Sequence, residues 1–244
     1  RRQRRLAGRM DRHSSTCANS IRGAFLVLDA ETGAVTARVG SSGYFEQRAG
    51  AKLDLTQALR SPGSALKPAL YALAFDAGQA HPGTWLPDDR RNFAGYQPEN
   101  FHDTRQGRVQ AYAALQQSLN PPAIAILNEY GAERALEALT RVGVAPANIG
   151  EPGSIGLSLM LGGVSLTMED LAQVYTAFAT DGRIRPLCET PAACAQTRPT
   201  RFIRSQTAGH ITAMHNHVQR PHNKNQADTP HNPYKTRTKT KNQK

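Results

Sequence analysis

The sequence has 244 residues, a formal net charge of +11 and 39% hydrophobic residues. This length provides for one substantial core, and no apolar run approaches the roughly 18 residues that a membrane span needs. The positive charge lies at the ends, with +6 over 1–22 and +8 over 188–244, whereas 23–187 carry −3. Any affinity for nucleic acid or an anionic surface is therefore expected of the ends, without a specific nucleic-acid partner.

The cysteines and histidines indicate no metal site. Cys17, Cys188 and Cys194 have no metal-ligand spacing, and an odd number in so loose a pattern does not describe a disulfide framework. The eight histidines include no pair at metal-binding helical spacing within 23–187. We expect neither a metal nor a cofactor.

The patterned region begins with a β-hairpin. Two β-rich runs within 24–39 flank a turn at 29–33, and the apolar first run predicts a central strand. A helix is predicted over 61–78, because Ser61 can cap it, Pro62 suits its first position and leucines recur on one face.

Helices are predicted along most of the remaining patterned region. The stretch 79–107 is rich in Pro, Gly, Asn and Asp, which predicts an ordered loop with little regular structure. Further helices are predicted over 108–117, from Pro121 with a cap at Asn120, over 132–142, and over about 167–180. A hairpin combined with several helices predicts an α+β fold.

Both ends are predicted to be disordered. Residues 1–22 contain clustered arginines, and 188–244 contain no Leu and many Asn, Gln, Thr, His and Lys without a period of 3.6 or 2. The predicted organisation is thus a basic segment over 1–22, a folded region over 23–187, and a basic polar tail over 188–244.

One segment has the residues for nucleophilic catalysis. Ser64 and Lys67 are three residues apart on the predicted helix, so the amine can come within hydrogen-bond reach of the hydroxyl. A serine hydroxyl becomes nucleophilic when a base takes its proton, and a lysine shielded from water can have a pKa low enough to do so. Pro68 cannot donate to the Ser64 carbonyl, which predicts a local helix irregularity.

A second candidate lies at the break between two predicted helices. Ser118 and Asn120 carry a hydroxyl and an amide there, although a helix stop with a cap explains the same residues. Ser-x-x-Lys also occurs by chance about once in a chain of this size. Neither motif is specific alone, and their surroundings decide between the alternatives.

Taken together, these segments resemble the transpeptidase domain of penicillin-binding proteins over roughly residues 21–187. The resemblance rests on Leu59-Arg-Ser-Pro-Gly-Ser-Ala-Leu-Lys-Pro-Ala-Leu-Tyr71, Pro98-Glu-Asn-Phe-His102, Gln117-Ser-Leu-Asn-Pro-Pro-Ala123 and Gly156-Leu-Ser-Leu-Met-Leu-Gly-Gly163. It implies a serine β-lactamase-like fold, in which an antiparallel sheet is flanked by helices and the active site lies between the sheet and a helical cluster.

The resemblance also implies a role for each candidate residue. Ser64 corresponds to the serine that attacks the penultimate D-Ala of a peptidoglycan stem peptide, and Lys67 to its base. Ser118 corresponds to the serine that relays the proton, and Asn120 to the amide that orients the substrate. The implied partners are stem peptides and β-lactams, and the implied location is the periplasmic face of the inner membrane, where intact relatives are anchored.

The chain departs from the family pattern in one respect. The family's third motif, Lys-[Ser/Thr]-Gly on a strand beside the nucleophile, does not occur after Asn120, and Lys235-Thr-Arg237 is the nearest string. We therefore expect an incomplete fold, a hairpin with an exposed apolar edge, and impaired activity. The loss of apolar patterning near Leu187 further suggests that 188–244 is not family sequence, as a truncation or frameshift would produce.

Two alternatives remain open at the level of the sequence. One is a binding protein whose basic ends contact nucleic acid or an anionic surface, although no recognition motif accompanies the charge. The other is a serine β-lactamase-like hydrolase, which would share the first two motifs but needs a deacylating base that the sequence does not locate.

Overall fold

The structure is a computed structural model, and it describes residues 23–41, 43, 52–90, 92–93, 98–100, 105–149 and 156–216. The predictions for 1–22 and for 217–244 therefore lie outside the described residues, as do Phe101, His102 and the Lys235 string. The fold within the described ranges combines strands and helices, so the α+β prediction is confirmed.

Six short strands form three separate antiparallel pairs within the described residues. The strands are β1 (Phe25–Leu28), β2 (Val35–Val39), β3 (Trp85–Asp88), β4 (Gly107–Gln110), β5 (Arg183–Ile184) and β6 (Thr200–Arg201). Strand β1 pairs with β2, β3 with β4, and β5 with β6. The β3–β4 pair corrects one expectation, because both its strands lie in segments that the sequence assigned to an irregular loop and to a helix.

Seven α-helices and two 3₁₀ turns make up most of the described fold. The helices are α1 (Lys67–Asp76), α2 (Ala111–Gln116), α3 (Asn120–Tyr130), α4 (Ala132–Arg141), α5 (Met168–Ala179), α6 (Pro191–Gln196) and α7 (Ser205–Asn216). The 3₁₀ turns are Gly63–Leu66 and Leu159–Leu161. The capping box predicted at Thr167 is confirmed, since its hydroxyl accepts from the Asp170 N–H and the Asp170 carboxylate accepts from the Thr167 N–H.

Helix α1 lies at the centre of the core. Every residue from Lys67 to Phe75 is buried, and the helix packs against α2, α3 and α7. A helix buried on all sides needs apolar residues around its whole circumference, which α1 supplies with Ala, Leu, Tyr and Phe. Lys67 is the one charged residue in this buried stretch, so the packing of the neighbouring helices fixes the position of its side chain.

The hairpin of β1 and β2 is present where the sequence predicts it. Its strands are in register from Phe25 opposite Val39, with an irregularity at Leu28. Within the described residues β1 pairs with β2 alone, so its predicted central place in a larger sheet is not observed there. Strand β1 contacts α5 and remains half-buried. The first residue of β2 donates a backbone hydrogen bond from the Val35 N–H to the Cys188 carbonyl.

The predicted start of a disordered tail at Cys188 is wrong. Residues 188–216 are part of the fold, and α7 packs against α1, α2 and α5. The apolar side chains of this segment are buried: Cys188, Phe202, Ile203, Ala208, Ile211 and Met214. Three of these residues, at 208, 211 and 214, lie on one face of α7 and so follow a helical period. The period was missed because the segment contains no Leu.

A disulfide also corrects the reading of the cysteines. Cys188 and Cys194 are joined across six positions of sequence. The cross-link closes a small loop that holds α6, and Cys188 itself is buried against the hairpin. Two of the three cysteines pair locally, so their odd number did not exclude a disulfide.

Ion pairs attach this C-terminal segment to the rest of the fold. Arg38 on β2 contacts Glu169 on α5 and Glu189 next to the disulfide, at 2.6 and 3.1 Å. At the far end of the core, Arg204 binds the carboxylate of Asp76 at 3.1 Å. Thr207 on α7 donates to the same carboxylate, so the start of α7 is fixed to the end of α1.

Candidate active site

Ser64 lies in a 3₁₀ turn that leads directly into α1. The Lys67 N–H donates to the Ser64 carbonyl, an i to i+3 bond, because Pro68 has no N–H to make the next α-helical bond. The predicted irregularity is thus confirmed. Gly63 precedes the serine with φ of 53°, a left-handed conformation that suits glycine, and the Ser64 side chain is exposed.

Lys67 is buried, with a relative exposure of 1%, although its ammonium is a charged group. Its Nζ donates to the Ser118 carbonyl at 2.5 Å, to the Asn120 Oδ1 at 2.6 Å and to the Ser118 Oγ at 3.2 Å. Burial lowers the pKa of Lys67 from 10.5 to about 8. A substantial fraction of this amine is therefore neutral near pH 8 and available as a base.

Ser118 occupies an unusual backbone conformation at the break between α2 and α3. Its φ is 55°, and the Ser118 and Leu119 N–H groups donate to the carbonyls of Leu115 and Ala114. This is a Schellman motif, whose left-handed position is usually occupied by glycine. A residue with a side chain, such as Ser118, adopts that conformation at a cost of about 1–2 kcal/mol. Serine at this position places its carbonyl and hydroxyl against Lys67.

Asn120 is the first residue of α3 rather than the cap that the sequence predicted, since Leu119 takes the extended cap position. The Asn120 Oδ1 accepts from Lys67, and its Nδ2 donates to the Glu99 carbonyl at 2.6 Å. The orientation of the amide is settled by its neighbours, because an ammonium only donates and a carbonyl only accepts.

Three of the four predicted residues are therefore joined by hydrogen bonds. Lys67, Ser118 and Asn120 meet although 51 to 53 residues separate the lysine from the other two. Ser64 is one turn before Lys67, but these two described side chains share no hydrogen bond in this structure. Ser64 is exposed on the turn next to Lys67, and rotation about its χ1 changes the distance between its hydroxyl and the amine.

Gly162 packs against the turn that carries Ser64. Ser61 Oγ donates to the Gly162 carbonyl at 2.9 Å. A Cβ added at Gly162 would lie 2.3 Å from Ser61 Oγ and 3.0 Å from the Cα of Gly63. Gly162 also has φ of 104°, so both its conformation and its surroundings require glycine.

The Gly162→Ala variant is expected to lose more than about 2 kcal/mol of unfolding free energy and to acquire a displaced Ser64 turn, because strain and overlap add together. Gly78→Ala is the matched control. Gly78 also has a positive φ, of 74°, but a Cβ there meets nothing within 4 Å, so this control should lose only about 1 kcal/mol. Chemical denaturation measures both, and equal losses would show that the contact with the Ser64 turn is unimportant.

Sequence reasoning missed the residues behind this cluster. Asn100 accepts from the Asn120 N–H at 2.9 Å and donates to Asp88, which is fully buried. Asn100 belongs to the motif Pro98-Glu-Asn-Phe-His102, which supported the family resemblance, but the motif did not indicate a role for Asn100. Asp88 gave no signal, because an Asp within a Pro- and Asp-rich stretch has the appearance of an exposed loop residue.

Comparison with known proteins decides the family. A family model of the penicillin binding protein transpeptidase domain matches residues 23–240. This chain belongs to the penicillin-binding protein transpeptidase family. The matched range runs past Leu187, which does not support the prediction that family sequence ends there.

Relatives and solved structures agree with this assignment. Penicillin-binding protein 1C of Escherichia coli is 37% identical over 176 residues, covering 72% of this chain and 23% of that protein. Penicillin-binding protein 1A of Neisseria flavescens is 33% identical, covering 66% and 20%. The chain thus spans between a fifth and a quarter of the length of these relatives.

The fold is that of a penicillin-binding transpeptidase. The structure of PonA1 from Mycobacterium tuberculosis in complex with penicillin V superposes with a TM-score of 0.72, at 19% identity, covering 86% of this chain and 59% of that one. The resemblance read from the sequence motifs is confirmed for both family and fold. Of the helices that the structure describes, none is long and apolar enough to cross a bilayer.

Proposed function

We propose that this chain is a penicillin-binding, acyl-serine module of peptidoglycan cross-linking, with Ser64 as the nucleophile and Lys67 as its base. The observation that carries the proposal is the buried Lys67 Nζ, bound to both Ser118 and Asn120 and with its pKa lowered to about 8. A buried amine with a lowered pKa one turn from an exposed serine has the chemistry of an activated nucleophile. The proposed place of action is the periplasmic face of the inner membrane.

The proposed reaction begins with proton transfer. Neutral Lys67 takes the proton of the Ser64 hydroxyl, and Oγ attacks the carbonyl carbon of the penultimate D-Ala of a stem peptide. The new C–O bond sends the carbonyl electron pair to oxygen. When that pair returns, the C–N bond to the terminal D-Ala breaks, and the leaving amine takes the proton from Lys67 by way of Ser118 Oγ, which lies 3.2 Å from Nζ. An acyl-serine ester remains.

Asn120 and Ser118 have separate proposed roles. Asn120 holds Lys67 in place through Oδ1, and an incoming peptide can exchange with the Glu99 carbonyl at Nδ2. Ser118 is exposed, so its hydroxyl can face both Lys67 and a leaving group. A β-lactam would follow the same path, but its leaving nitrogen stays tethered to the acyl group by the opened ring.

We further propose that completion of the transpeptidase cycle is impaired in this chain. No Lys-[Ser/Thr]-Gly occurs after Asn120. In the family this strand supplies an oxyanion-hole donor and groups that seat the peptide, and loss of one such donor typically costs about 3 kcal/mol, or a hundredfold or more in rate. Acylation by a strained β-lactam should therefore remain easier to detect than turnover of a stem peptide.

The test is to incubate the chain with a fluorescent penicillin and to map the adduct by mass spectrometry. We expect a stable ester on Ser64, no adduct on Ser64→Ala, and little release of D-Ala from a D-Ala-D-Ala stem peptide. An adduct on another serine would refute the assignment of the nucleophile. Rapid loss of the adduct as hydrolysed penicillin would instead identify a β-lactamase-like hydrolase.

A further inference from the structure

Behind the proposed site lies a buried carboxylate that the proposed mechanism does not use. Asp88, the last residue of β3, is fully buried, and both of its oxygens accept hydrogen bonds. Oδ1 accepts from the Asn100 Nδ2 at 2.8 Å, and Oδ2 accepts from the Gln106 N–H at 2.9 Å. Asp88 thereby holds two points of the loop between β3 and β4 against the end of β3.

The bonds continue from Asp88 to the base in a fixed direction. A carboxylate only accepts, so the Asn100 NH₂ must face Asp88, and its Oδ1 must face the other way, where it accepts from the Asn120 N–H at 2.9 Å. That N–H is one of the first-turn donors of α3, which lack a partner within their own helix. The adjacent Glu99 carbonyl accepts from the Asn120 Nδ2.

Asn120 is therefore held at both its backbone and its side chain by residues 99 and 100, and it in turn holds Lys67 through Oδ1 at 2.6 Å. In each hydrogen bond of this chain, the donor and acceptor character of the two groups allows only one orientation of the amides of Asn100 and Asn120. If the Asp88 carboxylate became an amide, its NH₂ would face either the Asn100 NH₂ or the Gln106 N–H, and both of these are donors, so one of the two bonds that position residues 100 and 106 would be lost. In the first orientation, Asn100 could turn over to accept from the new NH₂, but its own NH₂ would then face the Asn120 N–H.

We propose that Asp88 is a positioning residue for the acylation chemistry, acting through Asn100 and Asn120 to hold the amine of Lys67 in place. This inference rests on the proposed function of Ser64 and Lys67. Asp88 itself touches neither Ser64 nor Lys67 through a hydrogen bond, so its effect is transmitted by the orientation of two amides. The burial of the carboxylate makes the arrangement rigid, because a buried acceptor left without a donor is costly.

A purely structural role for Asp88 predicts a different outcome from a positioning role. Loss of a structural contact would lower stability and leave the pH dependence of acylation unchanged. Loosening of Asn120 would admit water to Lys67 and return its pKa toward 10.5 from about 8. The pH midpoint of the acylation rate constant would then move upward, since the neutral amine would form only at higher pH.

The experiment measures the acylation rate constant of the whole chain with a fluorescent penicillin as a function of pH. Asp88→Asn is expected to slow acylation about tenfold at pH 7 and to raise the pH midpoint by about half a unit or more. Arg108→Ala, which removes an exposed side chain from β4, is the matched control and should behave as the original chain.

The exchange variant Asp88→Asn/Asn100→Asp provides the rescue. In it, the amide at 88 donates to the carboxylate at 100 and accepts from the Gln106 N–H, and the carboxylate at 100 accepts from the Asn120 N–H, so the three bonds that link Gln106, residue 88, residue 100 and Asn120 are restored. We expect its rate to return to within about threefold of the original and its pH midpoint to return as well. If the single variant fails to fold, a folded exchange variant with this behaviour still supports the proposal.

Three results would overturn the inference. One is a folded Asp88→Asn variant with unchanged rate and midpoint, another is a slowed variant whose midpoint stays in place, and the third is a folded exchange variant that remains slow. Failure of the original chain to be acylated at Ser64 would instead refute the proposed function, so the two failures are distinguished by the unmodified chain.

Discussion

Replacement of Lys67 with methionine is expected to slow the acylation of Ser64 by about a hundredfold to ten-thousandfold, the usual contribution of a positioned general base. Methionine is close to lysine in length and suits the buried surroundings of α1, so the core should accept it. The variant removes the proposed base and leaves the Ser118 carbonyl and the Asn120 Oδ1 without this donor. Stopped-flow fluorescence with a penicillin measures the rate constant directly.

The pH profile sharpens this prediction. With the pKa of Lys67 at about 8, the acylation rate constant should rise with pH through about 8, because in the proposed mechanism only the neutral amine accepts the Ser64 proton. The Lys67→Met variant should lose this rise. A variant that keeps both the rate and the profile would show that another group removes the proton.

The same shift has a consequence for stability. The pKa of Lys67 is lower in the folded chain than its ordinary value of 10.5, so burial of the charge opposes folding below about pH 8. Between pH 8 and 10.5 the unfolded chain holds the proton that the folded chain has lost, so stability rises with pH across this interval. The Lys67→Met variant should lack this rise, which denaturant titrations at a series of pH values would detect.

Replacement of Ile211 with alanine is expected to lower the unfolding free energy by about 2–5 kcal/mol. Ile211 is fully buried in α7, which packs against α1, α2 and α5. The loss arises from the cavity left between these helices and from the apolar surface returned to water. Guanidinium titration measures it, with thermal unfolding as a second measurement.

Gln206→Ala is the matched control on the same helix. Gln206 is exposed, so its removal should change the unfolding free energy by less than about 0.5 kcal/mol. Equal and small effects of the two substitutions would mean that α7 is not packed on the core in solution. In that case the original expectation of a polar tail from Cys188 would be restored.

Local structure near the site could be predicted from short stretches of sequence. The 3₁₀ start of α1 follows from Pro68, which lacks the donor for an α-helical bond to Ser64. The break before α3 and the capping box at Thr167 follow from the residues within a few positions of each. These features depend on backbone sterics and hydrogen bonds over three to six residues, which the sequence shows directly.

Longer-range features were less predictable. Strands β3 and β4 were missed because two four-residue strands gain their stability from each other across a loop, and neither has a pattern of its own. Helix α7 was missed because the whole segment 188–244 contains no Leu and is polar on average, which masks the few apolar residues of the helix. Only its docking on α1 reveals that Ile211 and Met214 are core residues.

The sequence by itself determined the family, and it singled out Ser64 and Lys67 as the pair proposed here to react, because motif spacing is a property of the chain. Tertiary structure alone decided that Lys67 is bonded to Ser118 and Asn120, 51 and 53 residues away, and that Asp88 is buried behind them. The physical reason is that the pKa of a lysine and the cost of a buried carboxylate depend on which groups the folded helices bring together. No local pattern of residues specifies those neighbours.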